Sequence, residues 1–331
     1  MNTRARFQSI LGPDIKHFIA HKRSLGRRYD VEESALALFD SYLLERDVDN
    51  LTKVTPALID EFLRSRPRSR PRSYNHLRCT IGRLFSYLVD QEKIAVSPLQ
   101  SPPRRTRYER TPFIFDDAAI RRLLALAKAL PSSGGTIERG NTYFVIFAVL
   151  YGLGLRVGEV CRLRIKDVDL ERRLLVIRET KFYKSRLIPF GPKLGALLVE
   201  YVRQRQTTSD CAARDEDSPL FCLRAEYPIN PHTISRTFHS LIPRLCLEIP
   251  PGVSYPRAHD LRHAFAVGTL TLWYRLGLDP QAKLLALSTF MGHVSVSSTS
   301  VYLTTTSELL DQANRRFEAF AAATLREGLS S

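Results

Sequence analysis

The chain has 331 residues, 44% of them hydrophobic and 25% charged, enough for two domains that each bury a core. Its best apolar stretch, Tyr143 to Leu155, is too short to cross a membrane and runs into Arg156, and the opening MNTRARFQSI has no apolar signal region, so the sequence reads as a cytoplasmic protein. A net charge of +15 and a pI near 9.8 make a polyanion, chiefly nucleic-acid phosphate, the default partner. The five cysteines (Cys79, Cys161, Cys211, Cys222, Cys246) form no CxxC pair, which argues against a disulfide framework or a structural zinc site and leaves buried free thiols.

In chain order, the spacing of apolar residues predicts short helices over Asp14–His21, Glu32–Leu44, Pro56–Arg64 and Tyr74–Gln91. The last is clearest, with Leu77, Ile81, Leu84, Phe85, Leu88 and Val89 in one stripe opposite Arg78 and Arg83. A helical bundle over residues 1–100 follows. Residues 101–112 are basic, rich in proline and without periodicity, which marks a linker. The arginines densest in RSRPRSRPR and PPRRTRYER (Arg66, Arg68, Arg70, Arg72, Arg104 and Arg105), with Arg78 and Arg83, are the candidates for phosphate contact. The competing reading is a set of solvated loops broken by proline.

A second domain over 113–331 opens with a helix at Asp116–Leu130, followed by a Gly134-Gly135 loop and an apolar helix through Tyr151. RLLVIRETKFYKSRLIPF, 173–190, reads as two strands around a turn at Lys181–Lys184. Helices resume at 192–206, 231–247, 259–276, 280–290 and 307–325. The fold class is therefore mainly α with a small antiparallel β-sheet.

The stretch GLGLRVGEV invites a dinucleotide-loop reading, but Gly152, Gly154 and Gly158 give G-x-G-x-x-x-G, one residue too long. Glu179 stands at about the right distance for a ribose partner, yet only about two helical turns fit before Lys166–Asp169, and the next strand continues into a hairpin. Arg156 carries the alternative: a guanidinium at the start of a short helix, with Glu159 three residues on to hold it. HDLRH places His259, Arg262 and His263 at i, i+3 and i+4 on one helix face, where they repel one another unless an anion sits among them. His259 and His263 have zinc-ligand spacing, but the glutamate of H-E-x-x-H is missing and Arg262 opposes a cation. Lys181 stands at the hairpin turn, His293 beside Gly292 at a helix end, and Tyr302 nine residues later, where a lone tyrosine is ordinarily core.

In order and spacing, GLGLRVGEV, TKFYKSRLIPF, HDLRHAF, MGH and VY resemble the tyrosine recombinase (phage integrase) family, in an Xer-like form. The resemblance covers the second half, and helix 74–91 with KIAVSPL looks like the end of the family's SAM-like core-binding domain. Two departures stand out: a longer segment between HDLRH and MGH, and a tail, YLTTT, without the histidine that often follows the nucleophile. The resemblance implies a core-binding DNA clamp, a basic linker and a mixed α/β catalytic domain. It implies that Tyr302 attacks a DNA phosphodiester to give a 3′-phosphotyrosine, with Arg156 and Arg262 clamping the phosphate. Lys181 would protonate the leaving 5′-oxygen, His259 handle the tyrosine proton, His293 stabilise the phosphate, Glu159 orient Arg156, and His263 pack or orient the site. No metal or other cofactor is expected. The expected partners are duplex DNA at a specific site and further copies of the chain, as a tetramer or with sister recombinases, on the nucleoid. The final helix packs on its own domain or docks on a neighbouring protomer. The alternatives are a topoisomerase-like enzyme that only relaxes DNA and a catalytically silent DNA-binding regulator.

Overall fold

The computed structural model describes residues 7–105, 111–132, 138–178, 185–207, 215–224, 227–293, 295–304, 311 and 314. The Gly134-Gly135 loop, the turn at Lys181–Lys184 with Glu179 before it, Cys211, linker residues 106–110 and the helix expected at 307–325 lie outside them. The chain divides into two units between Glu109 and Arg110.

The first unit holds four α-helices among the described residues: α1 (Gly12–Ser24), α2 (Asp30–Glu45), α3 (Pro56–Ser65) and α4 (Pro71–Asp90). The stripe Leu77, Ile81, Leu84, Phe85 and Leu88 on α4 is buried against Phe18, Leu36, Phe39, Leu43, Ile59 and Phe62 from the other three. Thr55 caps α3 by accepting from Leu58 N–H, and Pro56 fills the first turn where its missing N–H costs nothing. For the same reason α4 begins at Pro71 rather than at the expected Tyr74: the second proline of RSRPRSRPR starts a helix instead of breaking one.

That shift sorts the basic residues. Arg70, Arg72, Arg83 and Arg105 are exposed. The others are engaged within the unit: Arg66 lies 3.9 Å from Glu45, Arg68 donates to Ser73, and Arg78 donates to the Ser101 carbonyl. Arg104 stacks its guanidinium 4.0 Å over the Tyr74 ring and donates to the Arg68 carbonyl, while its backbone exchanges two 2.8 Å hydrogen bonds with the Asn75 amide. Residues 101–105 are thus latched onto α4 rather than left as free linker.

The second unit is built around α6 (Arg139–Leu153), an apolar helix buried on several faces through Tyr143, Val145, Ile146, Phe147, Val149 and Leu150. Against it pack α5 (Asp117–Lys128), α8 (Pro192–Thr207) and α10 (Asp260–Arg275), with Phe238 of α9 (Pro231–Leu241) meeting Phe147 edge-on at 5.6 Å. A short α7 (Val157–Val160) leads to a three-stranded antiparallel sheet in the order β1 (Val168–Asp169), β2 (Leu174–Ile177), β3 (Arg186–Pro189). Leu175, Ile177 and Ile188 turn into the core. A second antiparallel pair, β4 (Cys222–Arg224) and β5 (Tyr227–Pro228), was not anticipated, because two- and three-residue strands show no alternation. The single-turn α7 and the antiparallel β2–β3 pair remove the crossover a dinucleotide loop requires. A smaller core joins α10 to α11 (Pro280–Met291) through Ala266, Val267, Leu270, Leu284, Leu287 and Met291, and Tyr302 is buried in it. α12 (Ser297–Ser300) and a 3₁₀ turn at Val301–Thr304 carry that tyrosine. Among the described residues no helix is long and apolar enough to cross a membrane.

The cysteines depart from expectation. Cys161 and Cys222 are buried, but Cys79 and Cys246 are exposed. Cys79 falls on the face of α4 opposite Leu77 and Ile81, and Cys246 follows a 3₁₀ helix in a left-handed conformation with φ of 49°.

Phe147→Ala should lower the unfolding free energy of the second unit by about 3–5 kcal/mol. Urea titration followed by the fluorescence of Trp273, the sole tryptophan, checks this.

Candidate active site

Two glycine turns organise the site. At the end of α6, Gly154 takes φ of +58°, and a Cβ there would run into the Phe265 ring. The turn aims the Gly154 carbonyl at Arg262, whose Nη1 donates to it at 2.6 Å, and it starts α7 with Arg156 as the N-cap residue. At the end of α11, Gly292 takes φ of +68°. Its N–H bonds to the Thr289 carbonyl and that of His293 to the Ser288 carbonyl, a Schellman cap.

The next three carbonyls, at the negative end of the α11 dipole, each take an arginine. Phe290 accepts from Arg186 Nε at 3.0 Å, Met291 from Arg262 Nη2 at 2.7 Å and Gly292 from Arg156 Nη2 at 2.7 Å.

Glu159 binds two of these arginines together. Its Oε1 accepts from Arg156 Nη1 at 2.8 Å and Arg186 Nη1 at 3.0 Å, and its Oε2 from Arg186 Nη2 and the Arg156 backbone N–H, both at 2.9 Å. The side chain is 2% exposed. Burial alone would push this carboxyl up, but hydrogen bonds and charge from Arg186, then Arg156, hold it at about 2, so it is ionised. Arg186 was not singled out from the sequence. Its signal was parity: on β3 it shares a face with the buried Ile188, and an inward arginine needs a partner.

Arg262 is 1% exposed, and burial, then Arg156, lowers its pKa to about 10, still charged at neutral pH. One residue on, His263 Nδ1 lies 2.7 Å from Tyr302 Oη. The His293 ring stacks 6.4 Å from the Tyr302 ring, and His293 Nδ1 meets Thr299 Oγ1 at 2.6 Å. The His259 and His263 rings meet edge-on at 4.8 Å.

The repulsion expected within HDLRH is relieved by deprotonation. Burial, then His259 and the nearby arginines, pushes His263 down to about 3, and burial, then Arg262 and Arg156, pushes His293 down to about 4. Desolvation by the surrounding protein, then Arg262, Arg257 and Arg156, also lowers His259 to about 4, although its exposed edge screens those charges. Burial raises the Tyr302 phenol against the opposing pull of Arg262 and Arg156.

The structure therefore brings Arg156, Glu159, His259, Arg262, His263, His293 and Tyr302 together, while Lys181 lies outside the described residues. One pairing differs from expectation. The group on the tyrosine hydroxyl is His263, not His259, because one more turn of α10 carries the imidazole to the 3₁₀ turn that holds Tyr302. Among the described residues no set of three His, Cys, Asp or Glu side chains is gathered to hold a metal ion.

The chain belongs to the phage integrase family, whose pattern matches residues 117–308, and its class is that of the tyrosine-type, site-specific DNA recombinases. It is similar to a putative integrase/recombinase of Sinorhizobium fredii, y4rB, at 32% identity over 309 residues, 92% of this chain and 96% of that one. It is also similar to the tyrosine recombinase XerA of Thermococcus onnurineus, at 31% identity over 189 residues and 56% of each chain. In fold it is similar to the Tn1549 transposon integrase, with a TM-score of 0.65 at 17% identity over 93% of this chain and 98% of that one.

Arg186→Gln leaves Glu159 with one of its two arginines and should cost about 3–5 kcal/mol at pH 7 in urea unfolding. Acid should weaken the second unit in two stages. His263 and His293 have folded pKa values below the ordinary 6.5, so the unfolded chain takes up protons first. Stability then falls as pH drops from about 6.5 to about 4, by up to roughly 1.4 kcal/mol per unit for each histidine. Glu159's share is full above its ordinary 4.5 and is lost only as pH falls from there toward 2. A lower urea midpoint at pH 5 than at pH 7, with the difference reduced in His293→Asn, is the expected result.

Proposed function

We propose that this chain cuts and rejoins duplex DNA at a specific site, integrating, excising or resolving a mobile element or plasmid, with Tyr302 as the nucleophile. The observation that carries the reading is the α11 turn. Arg156 and Arg262 are fixed on the adjacent carbonyls of Gly292 and Met291, and the next residue, His293, stacks on Tyr302. Two guanidinia and a hydroxyl held around one turn suit a single phosphate.

In this reading Tyr302 Oη attacks the scissile phosphorus, and the bond to the 5′-oxygen breaks, leaving a 3′-phosphotyrosyl link. Arg156 and Arg262 take the negative charge that gathers on the non-bridging oxygens. Glu159 and Arg186 keep Arg156 in place, and His259 and His293 line the phosphate position. Lys181 supplies the proton to the departing 5′-oxygen, which then attacks the phosphotyrosine when strands rejoin. The covalent link retains the phosphodiester's free energy, so rejoining draws on no nucleotide hydrolysis.

The first unit serves as a DNA clamp in the same reading, with Arg70, Arg72, Arg83 and Arg105 as exposed phosphate contacts. The likeness to the transposon integrase, solved with a circular intermediate DNA, supports DNA as the partner. On DNA the chain works as a tetramer, of one kind or with sister recombinases, at the nucleoid.

The test is a nicked duplex library with a randomised central segment, denatured and probed for protein joined covalently to DNA. The unaltered chain should form the adduct and Tyr302→Phe none, while Arg156→Ala should slow its formation by roughly 10²–10³. No adduct on any duplex, or one that survives Tyr302→Phe, overturns the reading and favours a silent DNA-binding protein. Adduct without strand exchange between two selected sites points to relaxation only.

A further inference from the structure

We propose that Thr299 is a positioning residue that fixes His293 as its Nε2–H tautomer, so that the imidazole gives a hydrogen bond to a non-bridging oxygen of the scissile phosphate. The inference rests on the phosphate position read above beside Arg156, Arg262 and Tyr302, and adds the residue that decides where the His293 proton stands.

Thr299 is fully buried, and its Oγ1 lies 2.6 Å from His293 Nδ1. A buried hydroxyl places its proton on an acceptor, because leaving it unpaired forfeits the hydration it has in the unfolded chain. Among the described residues Nδ1 is the one partner of Oγ1. The hydroxyl therefore donates, and Nδ1 presents a bare lone pair. In the opposite arrangement, with Nδ1–H donating to Oγ1, the hydroxyl proton has no acceptor. Burial, then Arg262 and Arg156, lowers His293 to about 4, so the ring is neutral at pH 7. A neutral imidazole carries one proton, which then stands on Nε2.

That leaves Nε2 for the substrate. The His293 backbone N–H bonds to the Ser288 carbonyl at 2.9 Å, and the ring stacks on Tyr302 with centroids 6.4 Å apart. With the backbone, one ring face and Nδ1 all held, Nε2 is the remaining polar atom of the side chain, and among the described residues it has no hydrogen-bond partner.

The spacing ties this arrangement to the nucleophile. Thr299 lies in α12, anchored through its N–H to the Val296 carbonyl at 2.8 Å, and Tyr302 follows three residues on in the 3₁₀ turn. Residues three apart in such a coil share a face, so one short segment both presents the phenol and sets the histidine's proton. Fixed in this form, His293 complements the two guanidinia. Arg156 and Arg262 bring charge, and the neutral imidazole brings a directed hydrogen bond. It transfers no proton and leaves the proton steps to other groups.

The test has two arms, and the first needs no activity. In the full chain carrying ring-¹⁵N histidine, at pH 7 without DNA, the resonances missing from His293→Asn belong to His293. They should show a protonated Nε2 and a bare Nδ1, and a protonated Nδ1 overturns the proposal. Thr299→Val keeps the volume and loses the hydroxyl. It should turn the pattern into a mixture of tautomers, and an unchanged pattern also overturns the proposal.

The second arm is adduct formation on the nicked duplexes selected above. Thr299→Val should slow it by roughly 10–100-fold, less than the loss of a direct donor, and Thr299→Ser, which keeps the hydroxyl, should retain most of the rate. A methylphosphonate at the scissile position replaces one non-bridging oxygen, and its two stereoisomers place the methyl at one oxygen or the other. On the isomer lacking the oxygen that His293 meets, Thr299→Val should cost nothing further, while on the other it should keep its full effect. Equal losses on both isomers reveal a packing role and overturn the proposal, as does an unchanged rate on natural DNA. Should Thr299→Val not fold, Thr299→Ala takes its place in both arms. If the unaltered chain forms no adduct on any duplex, the recombinase reading fails and the phosphate contact goes with it. An adduct together with a protonated Nδ1 removes the Thr299 assignment alone.

Discussion

The structure of this site depends on the C-terminus of one helix. Three successive carbonyls at the end of α11, from Phe290, Met291 and the capping Gly292, each hold a different arginine, and these come from β3, α10 and the start of α7. A helix end leaves such carbonyls without backbone partners and concentrates partial negative charge there, so cations are the natural occupants. Because the three arginines come from distant parts of the chain, this one turn fixes how the sheet, α7 and α10 meet.

A second constraint is an excess of positive charge with little to balance it. Glu159 is a buried carboxylate serving two arginines, while among the described residues Arg262 donates to two neutral carbonyls, those of Gly154 and Met291. The histidines respond by staying neutral, the lowest-cost state for an imidazole beside guanidinium groups out of water. In the proposed reading a phosphodiester supplies the missing anion, so that the free site is complementary to it in charge beforehand, as preorganised electrostatic catalysis requires.

Much of this was legible in the sequence. The stripe Leu77 to Leu88 located α4, and Gly154 and Gly292 stood next to the residues they present. The i, i+3, i+4 spacing of HDLRH put His259, Arg262 and His263 on one face. The strands 222–224 and 227–228 left no trace, because pairing rather than periodicity makes them. Arg186 was legible only through its shared parity with Ile188. The latching of Arg104 onto Tyr74 and Asn75 depends on contacts some thirty residues apart and has no local signature.

By itself the sequence determined which residue types are available and how they are spaced: an arginine among glycines, two histidines and an arginine on one helical turn, and a tyrosine after a Gly-His pair. Those follow from backbone periodicity and from the need for glycine where φ is positive. Only the tertiary structure decided the pairings. That Arg156, Arg186 and Arg262 share one helix end, and that His263 rather than His259 meets Tyr302, depends on how α10 and α11 pack around Leu270, Leu287 and Met291. Hydrogen bonds select partners by position to within tenths of an ångström, and long-range packing sets those positions.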